Sequence, residues 1–164
     1  MDLLSEFIEA WRYTRDGVIA EVENLPDAKF EKRPDGLGRS ALDLANHVIE
    51  SGRLLRELTR ADGDFQRKPY HDLLADLMMP GDVTTSKSEA LERLRSSFTE
   101  GVGELQVAGL DRLMQPIRQF NGEMATRLVW LHHGLAHEEY HRGQIALFAR
   151  LLGETPALTK SMGG

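Results

Sequence analysis

Cysteine is absent from the 164 residues. Disulfide staples, thiolate metal sites and a cysteine nucleophile are thereby excluded. The absence suits a cytosolic chain, although many secreted bacterial proteins also lack cysteine. No run of about 18 apolar residues occurs, so no segment is expected to span a membrane. The first residues, Met1-Asp2-Leu3-Leu4-Ser5-Glu6, lack a basic segment followed by an apolar one. No signal peptide is therefore expected, and the expected location is cytoplasmic. Basic charge is in deficit: 20 Lys and Arg against 26 Asp and Glu leave a net charge of -6. That balance gives no general attraction to phosphate backbones or anionic membranes, so neither is an expected partner. There is no G-x-S-x-G, phosphate loop or dinucleotide fingerprint. Internal repeats, low-complexity tracts and a convincing strand-turn-strand pattern are also missing.

What is present reads as one ordinary globular domain spanning residues 1–164. At 41% hydrophobic and 28% charged residues, a chain of this length can bury a core without staples. Four segments carry helical periodicity, which predicts an all-α fold built as a four-helix bundle. In the first, Leu4, Phe7, Ile8, Trp11, Val18, Ile19 and Val22 share a face, and the pattern stops near Asn24-Leu25-Pro26. A polar connector, Asp27 to Arg39, follows. The second segment opens at Ser40, a candidate N-cap with Asp43 three residues on, and runs to about Arg60 before Ala61-Asp62-Gly63-Asp64. Residues 65–85 are mixed, with a short helix expected over His71 to Met79. The third helix is expected after Thr85 and Ser86, carrying Leu91, Leu94, Phe98, Val102 and Leu105. Gly101 and Gly103 weaken it by roughly 1 kcal/mol each relative to Ala. The fourth is expected from about Asn121 to Leu152, with Gly153 as C-cap. The long link between the second and third helices is enough to cross the bundle end and let those two lie parallel.

The last helix contains His137-Glu138-Glu139-Tyr140-His141. Residues four apart lie about 40° apart around a helix axis, one turn above the other. Two imidazoles so placed can converge on one metal ion. Two ordinary surface or core histidines fit the spacing equally well. The same face carries Thr126, Trp130, His133, Gln144 and Phe148. An inward His pair in that largely apolar stripe needs polar partners, and a cation supplies one. His47 is the best placed remaining histidine to complete three ligands, with Asp43, Glu50 and Ser51 as candidates to hydrogen-bond its ring. Trp130, His133 and Gln144 are expected to line the pocket, with His133 at its mouth.

The string also matches H-E-x-x-H of metalloproteases, whose glutamate serves as general base. No later histidine follows at metzincin spacing, and no strand precedes the helix as a substrate edge, so a peptidase is disfavoured. Glu138 stays a candidate catalytic residue. Its position, about 100° from His137, fits either reach to a water on the metal or plain solvation.

Asn46-His47-Val48, followed by His137-x-x-x-His141-Arg142-Gly143-Gln144, resembles the DinB/YfiT-like superfamily. The connector from Arg33-Pro34 to Ser40 is similar to that family as well. The resemblance spans nearly the whole chain and is most specific in the His-x-x-x-His-Arg-Gly-Gln string. It implies an up-down-down-up bundle, often dimeric, with a divalent metal on His47, His137 and His141. Relatives of this kind include thiol-dependent enzymes such as bacillithiol S-transferases and mycothiol-dependent maleylpyruvate isomerase. Imidazole nitrogens suit zinc, nickel, iron or copper, and the expected ion is zinc, nickel, iron or manganese. With coordination positions open, such a centre lowers the pKa of a water or thiol toward 7. The expected function is thus a metal-dependent thiol S-transferase or small-molecule hydrolase, acting on a small-molecule substrate, with a low-molecular-weight thiol as the candidate partner. The alternatives are a non-enzymatic metal- or ligand-binding stress protein, and an interaction module with three satisfied histidines and no metal.

Overall fold

The computed structural model describes residues 2–163. Helix α1, Leu3–Asn24, starts where the Asp2 carboxylate accepts the Ser5 N–H at 2.8 Å. It stops where Pro26 forces Leu25 into extended backbone. Phe7, Ile8, Trp11, Val18, Ile19 and Val22 are buried, as the periodicity requires. The polar connector contains one unforeseen helical turn, α2, Asp27–Phe30, which inserts Phe30 into the core.

Helix α3, Ala41–Gly52, opens with a full capping box. Ser40 Oγ accepts the Asp43 N–H, and the Asp43 carboxylate accepts the Ser40 N–H. The sequence predicts one helix from there to Arg60, but the chain breaks after Gly52 and resumes as α4, Leu55–Thr59. Across the break the backbone tightens to three-residue hydrogen bonds, Arg53 N–H to Glu50 and Leu54 N–H to Ser51. Arg53 lies buried there, paired through its guanidinium with Asp82 and Glu100.

The crossover carries α5, Tyr70–Leu77, whose Leu73, Leu74 and Leu77 face inward. Helix α6, Lys87–Leu113, is N-capped by Ser86 and kinked at Gly109, where φ is +70°. Gly101 does more than weaken this helix: a Cβ there would sit 2.5 Å from the Trp11 ring, so the glycine permits the close approach of α1.

The expectation of no paired strands fails. Pro116–Arg118 (β1) and Met124–Thr126 (β2) form an antiparallel hairpin in which Ile117 faces Ala125. Three-residue strands are too short to print an alternation in sequence. The hairpin also delays the last helix. That helix, α7, runs Arg127–Leu151 rather than from Asn121, with Thr126 as N-cap and Gly153 at φ +81° beyond its end. A final short helix, α8, Ala157–Ser161, presents the N–H groups of Ala157 and Leu158 to the Glu21 carboxylate.

Side-chain contacts give each helix its direction. Residues 11, 15 and 25 of the first helix region meet Gly101, Leu94 and Lys87, so α1 and α6 are antiparallel. Phe7, Arg15 and Asn24 meet His132, Glu138 and Thr155, so α1 and α7 are parallel. Arg53 and Arg56 meet Glu100 and Glu104, so the α3–α4 arm runs with α6. His47 meets His141 while Leu58 meets Arg127, so that arm runs against α7. The bundle is therefore up-down-down-up, with the α3–α4 arm and α1 each seated between α6 and α7.

Two apolar clusters fill the bundle, one around Val22, Leu44, Leu94 and Ile145, the other around Trp11, Leu55, Leu105 and Leu131. A polar belt lies between them, made of Arg15, Ser97 and Glu138 on three helices.

Candidate metal centre

Leu44, Ala45, Val48 and Ile49 bury one face of α3. That burial fixes the helix rotation and leaves His47 at the edge of the face, half-buried and turned toward α7. His137 and His141 stand one turn apart on α7. Their Nε2 atoms are 3.1 Å apart. The His47 ring lies 5.1 Å from that of His137 and 4.7 Å from that of His141, centroid to centroid. One ligand nitrogen from each of the three falls within 4.8 Å of the others.

The two α7 donors are spaced for one divalent ion, and His47, with the three ligand atoms spread over as much as 4.8 Å, must close in to share it. Metal–nitrogen bonds of about 2.0–2.1 Å in a tetrahedron hold their nitrogens roughly 3.3 Å apart, close to the separation of the two α7 atoms. The protonation states fit too. Burial pushes His137 down to about 4, and the neighbouring His141 and His47 push the same way. Burial also lowers His141, against a hydrogen bond to Gln144 that favours its charged form. Both rings are thus neutral at pH 7, the form that ligates metals.

Hydrogen bonds orient two of the rings. His141 Nδ1 lies 2.7 Å from Gln144 Oε1, an acceptor, so Nδ1 donates and Nε2 keeps its lone pair for a cation. His47 Nδ1 lies 3.4 Å from Glu50 Oε2, a looser contact of the same kind. Asp43 and Ser51 are engaged elsewhere. The Asp43 carboxylate closes the capping box and lies 3.4 Å from Arg33, and Ser51 Oγ donates to the Val48 carbonyl. Asn46, next to His47, clamps α3 to the crossover by accepting the N–H and hydroxyl of Thr84 and donating to its carbonyl.

Glu138 is not solvated: it is 4% exposed and faces α1. Arg15 Nε donates to Oε2 at 3.0 Å and Arg15 Nη2 donates to Oε1, while Trp11 Nε1 donates to Oε1 at 2.9 Å. Arg15 Nη1 continues to the Leu94 carbonyl and Ser97 Oγ. This clamp sets the rotation of α7 one residue from His137. The sequence reading missed Arg15, although its spacing of four from Trp11 and seven from Val22 places it on the buried face.

Two cavities meet at His47. One, about 250 Å³, is walled by His47 and His137 at one end and by aromatic and leucine side chains elsewhere. Trp130 and exposed His133 are among its lining, their rings 4.9 Å apart. Ser51 and Glu138 also border it, whereas Gln144 lies away from it, behind His141. The other, about 410 Å³, is polar and bordered by Arg39, Asn46 and Glu50. His132 packs on Phe7 and His71 beside Tyr70, both apart from the cluster.

An up-down-down-up bundle with three imidazoles converging from its second and last arms defines a class of helical bundles with a candidate histidine metal centre. Within that class, the chain belongs to the DinB family, whose family model matches residues 1–162. The fold is similar to that of the DinB-like protein YjoA from Bacillus subtilis, with a TM-score of 0.68 and 18% identity over 92% of this chain and 93% of that one. It is also similar to that of YfiT from Bacillus subtilis, described as a probable metal-dependent hydrolase with an unusual four-helix bundle topology. There the TM-score is 0.67, with 13% identity over 94% of this chain and 91% of that one. No curated protein matches the sequence. Among the described residues no helix is long and apolar enough to cross a membrane.

Proposed function

We propose that the chain is a metal-dependent enzyme acting on a small-molecule substrate, with His47, His137 and His141 holding one divalent ion. The observation that carries this reading is the convergence of three imidazole nitrogens within 4.8 Å, with no carboxylate in the set. Three protein ligands are the number seen in catalytic sites, where a position stays open, whereas closed structural sites use four. A divalent ion held there supplies Lewis acidity, lowering the pKa of a water or thiol at the open position toward 7.

The chain's own residues do the rest. Gln144 and Glu50 hold two rings in the tautomer that ligates. Arg15 and Trp11 fix Glu138, so we place Glu138 as a positioning residue rather than a base. The apolar cavity excludes water from one side of the centre, and the polar cavity admits it from the other. Hydrolysis is the reaction that the description of YfiT favours, and transfer to a low-molecular-weight thiol is the second form of the same chemistry.

The test is metal analysis of untagged protein, then assay on esters, amides and electrophiles with and without thiols. Metal-dependent turnover is expected, and a thiol requirement separates the two reactions. A chain that gains stability from metal yet turns over nothing across the panel is a metal-binding protein and not an enzyme.

A further inference from the structure

The cavity of about 250 Å³ is a partly open cleft that reaches between the helices of the bundle. Side chains normally interdigitate to leave voids no larger than a water molecule. Here Phe65, Phe120 and Trp130 stand around a gap rather than filling it, with Phe65 stacked on Phe120 at 4.6 Å and set edge-on to Trp130 at 4.9 Å. Phe120 comes from the tip between β1 and β2, and Phe65 from the crossover. The hairpin and crossover thus deliver rings to the lining of a chamber that also includes His47 and His137.

The chemistry of the wall restricts what enters. It contains no lysine or arginine. Its one carboxylate, Glu138, is already bound by Arg15 and Trp11. A charged body placed inside would lose its hydration with only single neutral groups, such as the unpartnered Trp130 Nε1 donor and Ser51, to replace it. An uncharged apolar body loses nothing comparable and gains contact with aromatic faces. Size sets the scale: a dry apolar cavity of about 150 Å³ accepts benzene, so this one accepts a substituted ring or a small bicycle.

Resting on the metal-centre reading above, we propose that this chamber selects the substrate class: molecules with an uncharged, aromatic-sized apolar body whose reactive polar group projects to the His47–His137 wall. Phe120 and Leu135 set the fit, one from the hairpin tip and one from α7.

Two chelators with the same head separate the chamber from the metal. Zinc-loaded protein is titrated calorimetrically with acetohydroxamate and with benzohydroxamate, which adds a phenyl ring. Benzohydroxamate should bind about 10- to 100-fold more tightly, the factor expected for burying one ring. Leu135→Trp, which fills the chamber, should bring that ratio toward one, and Phe120→Ala should reduce it. Equal affinity of the wild-type protein for both compounds overturns the proposal. If zinc does not bind, the metal reading fails by itself, and the chamber is tested on the metal-free chain. Both tryptophans of the sequence, Trp11 and Trp130, line it. Saturable quenching of their fluorescence by uncharged 4-nitroanisole, weakened in Leu135→Phe, which narrows the chamber without adding a tryptophan, supports the chamber; quenching that stays linear overturns it.

Discussion

His137 is the residue on which the most physical consequences converge. Its ring titrates at about 4 in the fold, because of burial and three histidine neighbours, against about 6.5 in an unfolded chain. Between those values the unfolded chain binds the proton and the folded one does not. Stability of the metal-free protein is therefore full above about pH 6.5 and is lost progressively as pH falls toward 4. Thermal midpoints across that range should fall with acid, and His137→Ala should flatten the dependence. Gln144 acts on the same centre through His141, so Gln144→Ala should weaken metal binding about 10- to 100-fold, read by competition with a chelator. Arg15 and Glu138 are a different kind of residue. Each is almost fully buried, so removing one partner leaves the other uncompensated, at about 3–5 kcal/mol. Arg15→Ala should lower the unfolding free energy from denaturant titration by that amount, whereas replacing both with apolar residues should cost less.

At the scale of the element, the face and stop of α1, the start of α3 and the histidine face of α7 were legible. Ser40 with Asp43 three residues on announced a cap, and the capping box formed. Ser40→Ala should cost about 1 kcal/mol, visible as a small shift in midpoint. His137 and His141 announced a shared face through their spacing alone. Other elements escaped for definable reasons. The β1–β2 strands are three residues each, below the length at which alternation is readable. Helix α2 is a single turn whose only core contribution is Phe30. The break at Arg53 is set by ion pairs with Asp82 and Glu100, partners 29 and 47 residues away. Arg15 was overlooked because a charged residue in a helix is usually solvated, and its carboxylate partner lies 123 residues on. Gly101 looked like a weakness in α6, yet it is where Trp11 packs. Gly101→Ala should therefore destabilise by about 1–3 kcal/mol despite its better helix propensity.

At the scale of the whole molecule, an up-down-down-up path places the second and last arms side by side, and that adjacency brings His47 to His137 and His141. The long crossover makes the parallel second and third arms possible, and its Phe65, together with Phe120 from the hairpin, closes the apolar end of the site. A bound ion should tie those two arms together and stabilise the folded chain. At a free concentration 100 times its dissociation constant the gain is about 2.7 kcal/mol. The most direct test of the shared centre is metal content of untagged protein, equilibrated with zinc and exchanged free of excess, measured beside His47→Ala, His137→Ala and His141→Ala. One ion per wild-type chain, with loss of retained ion in each folded variant, is the predicted result. A folded wild-type chain that retains no zinc and binds no nickel, iron or manganese in the same procedure would contradict the account, as would a variant that keeps its ion undiminished.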